Sequence, residues 1–316
     1  MDANTPINPQ PRSPISSLLT PVYQFINCTL LPPFDWPAFE TAWEIYRDAR
    51  IANGRADIDA LPVVACLAAS GNVEQVLPTA AAWTLYILAA RIFDDVADDE
   101  GDESGLFARR NAPSPLSACL FAVSAANASL THLDESSGSR DIVATFSHTL
   151  ALAVKSEHTQ PPLSQLSVET YFETIAAKTG IVFATGMWAG SRTAVADKNI
   201  TDSLHKFGLH LGMMTQILDD CVDLKADLAN QVWTLPLIYA SSQKQHPAHQ
   251  QLTSLLAQPA PNAAWIDEIV SLLDTMNAVP WSLQIAEVHR QEAVSLIEDL
   301  PHHRDLLRHY VTPKHQ

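Results

Sequence analysis

The chain reads as an all-α bundle of helices around a central apolar cavity, and three observations lead there. Apolar-periodic segments, each long enough for a helix and too long for a strand, follow one another through 316 residues and are separated by proline and polar clusters. Runs of alternating β-branched residues are scarce, and the ten glycines form no G-x-G-x-x-G or Walker pattern. Finally, stretches such as Thr84 to Ala90 and Leu209 to Leu218 are too apolar for surface helices and carry charge only at one end, which suits inner helices around a pocket. With 47% hydrophobic residues the chain can fill a large core, and a single domain from residue 15 to 316 is expected.

Along the chain, residues 1 to 14 are proline-rich, have Arg12 as their only basic side chain and lack an apolar signal region, so they are expected to be disordered. Helices are predicted at about 36–50, 60–70, 74–99, 115–134, 139–158, 165–190, 200–228, 233–243, 246–257, 263–279, 281–299 and 302–310. Pro113, Pro115, Pro161, Pro162, Pro259, Pro261, Pro280 and Pro301 fall between or at the edges of these segments, where a missing N–H does least harm. Asn199, with Asp202 three residues on, is read as the cap and first-turn acid of the 200–228 helix.

Composition excludes several functions. Nineteen basic against 35 acidic residues give a net charge of −16, which argues against nucleic acid or an anionic membrane surface as partner. Cys28, Cys66, Cys119 and Cys221 are scattered without C-x-x-C spacing, as expected of buried thiols in a reducing compartment. No apolar run is read as reaching bilayer-spanning length, so a soluble, cytoplasmic protein without a membrane span is expected.

The chemistry concentrates in two aspartate rows of the same form, Asp94-Asp95-Val96-Ala97-Asp98 and Asp219-Asp220-Cys221-Val222-Asp223. Positions i and i+4 share a helix face, which sets Asp94 above Asp98 and Asp219 above Asp223. Like charges so placed repel unless a cation sits between them, and hard carboxylate oxygens one turn apart suit Mg²⁺ shared with a substrate phosphate. One acidic run alone reads as a solvated helix face; two matching runs at the ends of apolar helices point to a metal–diphosphate site facing a shared cavity. Cys221 is taken as a packing residue, since a thiolate is a poor Mg²⁺ ligand.

The two DDxxD motifs, with Gln216 one turn before the second, Lys178-Thr179 about forty residues before it, Arg109-Arg110 after the first and Thr234-Leu235-Pro236 after the second, resemble the trans-isoprenyl diphosphate synthase family. The resemblance runs from about Leu61 to Ala240. It implies the class I isoprenoid synthase fold and an allylic prenyl diphosphate as substrate. It also implies about three Mg²⁺ held among Asp94, Asp98 and Asp219, with Asp95, Asp220 and Asp223 as further ligands or supporting groups. By the same carry-over Arg109, Arg110, Lys178 and Lys225 hold diphosphate oxygens, and Thr179 and Gln216 lie near the developing carbocation. Plainer readings stand beside these: a solvated arginine pair, a surface lysine and a core amide. A homodimer is expected from the resemblance alone.

On the helix leading to Asp94, Ala90 and Ala89 are too small to block a prenyl tail, and Ile87, Tyr86 and Trp83 come next. At about 1.5 Å per residue, Tyr86 lies roughly 12 Å and Trp83 roughly 16 Å from Asp94, which predicts a C15 to C20 chain.

The chain departs from the family where a second diphosphate, that of isopentenyl diphosphate, is ordinarily bound. The family's lysine and two arginines fall on Ile58, Asp59 and Leu61, its histidine before the first motif on Ile87, and its lysine before Thr-Leu-Pro on Val232. A longer loop follows Asp98, and Asn111 replaces a glycine. A diphosphate without countercharge among Ile, Leu and Asp is strongly disfavoured. The sequence therefore suggests ionisation of a prenyl diphosphate with an unknown acceptor: another molecule, or the cation itself, as in a class I terpene synthase. An ordinary geranyl, farnesyl or geranylgeranyl diphosphate synthase whose acceptor site is rebuilt by Arg55, Arg110 and other cations, and a non-catalytic partner of an active synthase, are the alternatives.

Overall fold

The computed structural model describes residues 14–53, 55–97, 112–134, 138–157, 162–258, 262–300 and 302–312; of the segment 1–14 predicted to be disordered, residues 1–13 lie outside this set and Pro14 begins a helix. Its helices, in chain order, are α1 (Pro14–Leu18), α2 (Thr20–Phe25), α3 (Pro37–Ala52), α4 (Leu61–Ala68), α5 (Val73–Ala97), α6 (Pro115–Leu130), α7 (Ser139–Glu157), α8 (Val168–Ile175), α9 (Ile181–Thr193) and α10 (Lys198–Val222). They continue with α11 (Leu224–Ala229), α12 (Leu235–Ser242), α13 (His249–Leu256), α14 (Ala263–Thr275), α15 (Ala278–Ile297) and α16 (Arg304–Val311). No strand occurs among the described residues. The chain divides into two compact units: Met1–Phe146, Gly186–Thr201 and Leu300–Tyr310 form the first, and Ser147–Thr185, Asp202–Asp299 and Val311–Gln316 the second.

In the first unit α5 is the central helix, with Ala80, Ala81, Ala82, Leu85, Leu88 and Ile92 buried. Its neighbour α6 presents Ala118, Ala122, Ala125 and Ala126, small side chains at helical spacing that let the two axes come close. Ser129 seals this contact by donating to the Pro78 carbonyl at 2.7 Å. Contrary to the sequence expectation, one segment, Val73–Val96, is long and apolar enough to cross a bilayer, with a mean hydropathy of 1.5. Scattered polar residues such as Glu74, Gln75 and Thr79 hid the run. Because 72% of its apolar window is buried in the protein, it behaves here as a core helix.

The second unit has its own core, in which Leu228, Leu237, Leu252, Ile269 and Leu273 surround Trp265, whose Nε1 donates to the Leu255 carbonyl at 2.9 Å. Each such buried aliphatic chain stabilises by about 1.5–3 kcal/mol relative to exposure. Trp281 stacks on Tyr239 with ring centroids 4.0 Å apart. All four cysteines are free thiols, Cys66 fully buried and Cys28 exposed.

Two helix starts differ from the sequence reading. Asp197, not Asn199, caps α10, its Oδ1 accepting from the Ile200 N–H at 3.0 Å, and Asn199 already lies inside the helix. Pro280 sits in the first turn of α15 instead of between helices, a place where its lost N–H has no helical partner anyway.

A histidine pair joins α10 to α15: His210 and His289 meet Nδ1 to Nδ1 at 3.0 Å, with the Phe172 ring beside His289. Burial holds both imidazoles below the ordinary histidine range, His210 depresses His289 further, and Glu292 opposes. The unfolded chain takes up protons near pH ~6.5 and the folded chain resists them, so stability from this pair is complete above that value and is lost as pH falls below it. The melting temperature should drop between pH 7 and pH 5, and drop less in His289→Asn; equal slopes in thermal unfolding would contradict this.

Candidate active site

The residues singled out by sequence fall into both units, and each group has its own geometry.

In the first unit, α5 delivers Asp94 and Asp95 at its C-terminal end. Asp95 pairs with Arg91 one turn earlier at 3.3 Å, and Asp94 is half-buried. Asp98, Arg109 and Arg110 lie outside the described residues. Behind Asp94 on the same stripe, Ala90 and Ile87 are partly exposed, whereas Ala89, Tyr86 and Trp83 are buried. Both large rings are tied down: Trp83 Nε1 donates to the Ile58 carbonyl at 2.9 Å, Tyr86 Oη donates to Asn127 Oδ1 at 2.8 Å, and Phe146 packs against both.

The turn at Arg55–Ala60 carries Ile58 and Asp59, two of the residues aligned with the family's cations, and Leu61 follows at the start of α4. Asp59 is 1% exposed and takes a two-pronged ion pair from Arg50, Nε to Oδ2 and Nη2 to Oδ1, each at 3.0 Å. Tyr23 Oη adds a longer bond of 3.4 Å, and the Arg50 guanidinium lies over the Tyr46 ring. Burial drives the Asp59 carboxyl upward, and Arg50 and Tyr23 pull it back. The turn is held from the far side as well, where Tyr310 Oη donates to the Asp57 carbonyl at 2.7 Å.

In the second unit a hydrogen-bonded hub has formed. A π-turn at Ala176–Gly180 interrupts what the sequence suggested as one helix over 165–190 and carries Lys178 and Thr179. It lies against α10 at backbone distance because the crossing is made of glycines: a Cβ on Gly212 would stand 2.9 Å from both Gly180 Cα and the Thr179 carbonyl oxygen. That approach lets Thr179 Oγ1 donate to Gln216 Oε1 at 2.7 Å, and Gln216 Nε2 donates to Asp220 Oδ1 at 2.8 Å. On the other carboxylate oxygen Asp220 accepts the Tyr171 hydroxyl at 2.5 Å. The Leu235 backbone N–H, at the start of α12, also donates to Asp220, and the charge of Lys178 acts on it. Thus Lys178, Thr179, Gln216, Asp220 and the Thr234-Leu235-Pro236 element come together around one carboxylate that is 5% exposed. Gly212→Ala should cost about 1–3 kcal/mol by overpacking and pull Thr179 away from Gln216; chemical denaturation unchanged from wild type would contradict the crossing geometry.

Asp219 and Asp223 are exposed on the same face of the α10 end, where the Asp223 N–H donates to the Asp219 carbonyl at 2.8 Å and keeps the one-turn spacing. Nearby, Asp227 is pushed up to about 7 by burial and by the charges of Asp220 and Asp223, a sign of how crowded the negative charge is. Cys221 is raised to about 11, so its thiol stays protonated. Lys225 points to α14, forming an exposed pair with Asp267 at 2.9 Å. Among the described residues no three His, Cys, Asp or Glu side chains converge as a closed ion cage. Exposed carboxylates at one-turn spacing fit a hard divalent ion that completes its shell with water and phosphate. Tyr171 was missed by sequence reading: a tyrosine in an amphipathic helix 49 residues from its partner carries no local signal.

The all-α architecture is the class I isoprenoid synthase fold. Residues 59–273 match the family model described as polyprenyl synthetase, and the chain belongs to that family. Among curated proteins it is 26% identical over 149 residues to heptaprenyl diphosphate synthase component 2 of Bacillus subtilis, covering 44% of this chain and 42% of that protein. It is also 26% identical over 166 residues to nonaprenyl diphosphate synthase of Mycobacterium tuberculosis, covering 47% and 49%. The chain spans less than half the length of the curated relatives it matches. Among solved structures, geranylgeranyl pyrophosphate synthase from Corynebacterium glutamicum superposes with a TM-score of 0.75 at 22% identity, covering 94% of this chain and 90% of that one. A decaprenyl diphosphate synthase from Rhodobacter capsulatus gives 0.77 at 17% identity, covering 96% and 97%. The Corynebacterium enzyme is also known complexed with calcium and isoprenyl diphosphate.

Proposed function

We propose that this protein is a Mg²⁺-dependent enzyme that ionises a C15 to C20 allylic prenyl diphosphate and directs the prenyl cation to an acceptor other than a second diphosphate at the Ile58–Leu61 position. The observation that carries the reading is the hub around Asp220, which sets Lys178, Thr179 and Gln216 beside the exposed Asp219 and Asp223. When bound, the divalent ions supply Lewis-acid neutralisation of the departing diphosphate. Asp219 and Asp223 would offer oxygens to hold them, and Asp94, Asp95 and Asp98 are assigned the same task from the matching motif. Lys178 adds a fixed positive charge for diphosphate oxygens, and Arg109 and Arg110 are assigned the same task from the family pattern. Lys225 can join only by exchanging Asp267 for substrate, which costs little because an exposed pair is worth about 0.2–1 kcal/mol. Thr179 and Gln216 present oriented oxygen dipoles to the cation.

The stripe Asp94, Ala90, Ile87 supports a tail channel along α5, with Trp83 and Tyr86 as braced rings at its far end. Ala90→Phe should shorten the accepted chain by about one isoprene unit, read from relative rates with geranyl, farnesyl and geranylgeranyl diphosphates; an unchanged preference would remove this floor.

The Arg50–Asp59 pair supports the second half of the proposal. It leaves a neutralised, buried carboxylate where the family has a cation, which supports a cyclising or quenching enzyme, or transfer to a different acceptor, over chain elongation. A partner role is the remaining reading, prompted by the word component in the name of the Bacillus relative. Product analysis separates these readings. With Mg²⁺ and farnesyl or geranylgeranyl diphosphate, a hydrocarbon or alcohol without isopentenyl diphosphate is the expected outcome. A longer diphosphate when isopentenyl diphosphate is added would overturn the acceptor assignment, and no turnover in any combination would favour the partner role.

A further inference from the structure

Asp220 belongs to the acid row by sequence, yet its surroundings differ from those of Asp219 and Asp223. A carboxylate offers about four lone-pair positions, and Asp220 has given three of them to Tyr171 Oη at 2.5 Å, Gln216 Nε2 at 2.8 Å and the Leu235 N–H. Drawing Asp220 onto an ion would strand a buried phenol, an amide N–H and a helix-start N–H together, each at a cost of about 1–3 kcal/mol. Asp219 and Asp223, by contrast, are exposed.

The same bonds fix the direction of the relay. Asp220 is an acceptor on both oxygens, so the Gln216 amide must turn its NH₂ toward it and its carbonyl oxygen toward Thr179. Thr179 must then donate its hydroxyl proton to Gln216, which leaves the threonine oxygen lone pairs facing away from the relay. Tyr171, on α8, is the outer end of this chain of donors and the member to which the sequence reading gave no role.

We infer that Tyr171 is a positioning residue: by holding Asp220 out of the ion-binding set, it locks the Gln216 amide and thereby the orientation of the Thr179 hydroxyl. The inference deepens the functional reading above and rests on it for the chemistry, whereas the relay itself stands on geometry.

The test compares Tyr171→Phe, Asp220→Asn and Asp219→Ala in two assays. In calorimetric titration with Mg²⁺ and inorganic pyrophosphate, Asp219→Ala should weaken binding by about tenfold or more, while Asp220→Asn and Tyr171→Phe stay within about threefold of wild type. In turnover of an allylic diphosphate, Tyr171→Phe should lower kcat about 10–100-fold with KM changed less than about threefold. The double variant Tyr171→Phe/Asp220→Asn should be no slower than Asp220→Asn alone, because both break one relay. Loss of pyrophosphate binding in Asp220→Asn as large as in Asp219→Ala would overturn the inference, as would additive effects on kcat. Asp220→Asn keeps side-chain size, so the binding comparison holds even if Tyr171→Phe folds poorly. If wild type turns over no allylic diphosphate, the functional reading fails, and the binding assay still decides whether Asp220 is outside the ion-binding set.

Discussion

Asp219→Ala is expected to reduce pyrophosphate release from an allylic diphosphate on the order of 10³-fold, and Asp94→Ala to do the same. The reason is charge. In the proposed reaction, departure of the diphosphate places several negative charges at one point, and the ions that offset them would be held by the two acidic rows. Removing one carboxylate removes a ligand and lowers ion occupancy at once. The effect should be specific to the rows, since the protein carries 35 acidic residues and most are solvated. Asp267→Ala, which takes away only the exposed partner of Lys225, should leave the rate within about twofold. The assay is colorimetric pyrophosphate release under saturating Mg²⁺; equal losses in Asp267→Ala and Asp219→Ala would mean that overall charge, not these ligands, matters.

Arg50→Met should destabilise the protein by about 3–5 kcal/mol. Asp59 is fully enclosed, and without the guanidinium its carboxylate would keep, among the described residues, the 3.4 Å contact from Tyr23. An uncompensated buried charge is among the costliest defects a core can hold, and the turn it anchors also supplies the Ile58 carbonyl that fixes Trp83. The double variant Arg50→Met/Asp59→Leu should recover most of the loss, because an apolar pair of similar volume needs no countercharge. Chemical denaturation of the three proteins measures this. A single variant as stable as wild type would show that the ion pair is loosely solvated and that the turn remains open to a charged ligand.

What could be read from sequence was whatever repeats along a helix. The stretches 36–50, 74–99, 115–134 and 139–158 correspond to α3, α5, α6 and α7 because their apolar spacing and proline boundaries are local signals. No helix was predicted over Pro14–Phe34, where Pro14, Pro21, Pro32 and Pro33 each start or sit in the first turn of a short helix, a place where proline fits. The π-turn at Ala176–Gly180 was equally invisible, because one extra residue per turn leaves no mark in hydrophobic periodicity. At the candidate site, the acid rows, Lys178, Thr179 and Gln216 were legible as motif members. Their mutual contacts were not: the Thr179–Gln216 bond joins residues 37 apart, and the Tyr171–Asp220 bond residues 49 apart. The loss of cations at Ile58, Asp59 and Leu61 was plain in the sequence, but that Asp59 had acquired Arg50 as a buried partner required the fold.

The most direct measurement of the central claim is a time course of pyrophosphate release from geranylgeranyl diphosphate, run with Mg²⁺ and with excess chelator, in the absence of isopentenyl diphosphate. Multiple-turnover release with Mg²⁺, abolished by chelator and by either Asp94→Ala or Asp219→Ala, is the predicted result. Release that ignores the chelator, or that persists when both aspartates are replaced, would contradict the account.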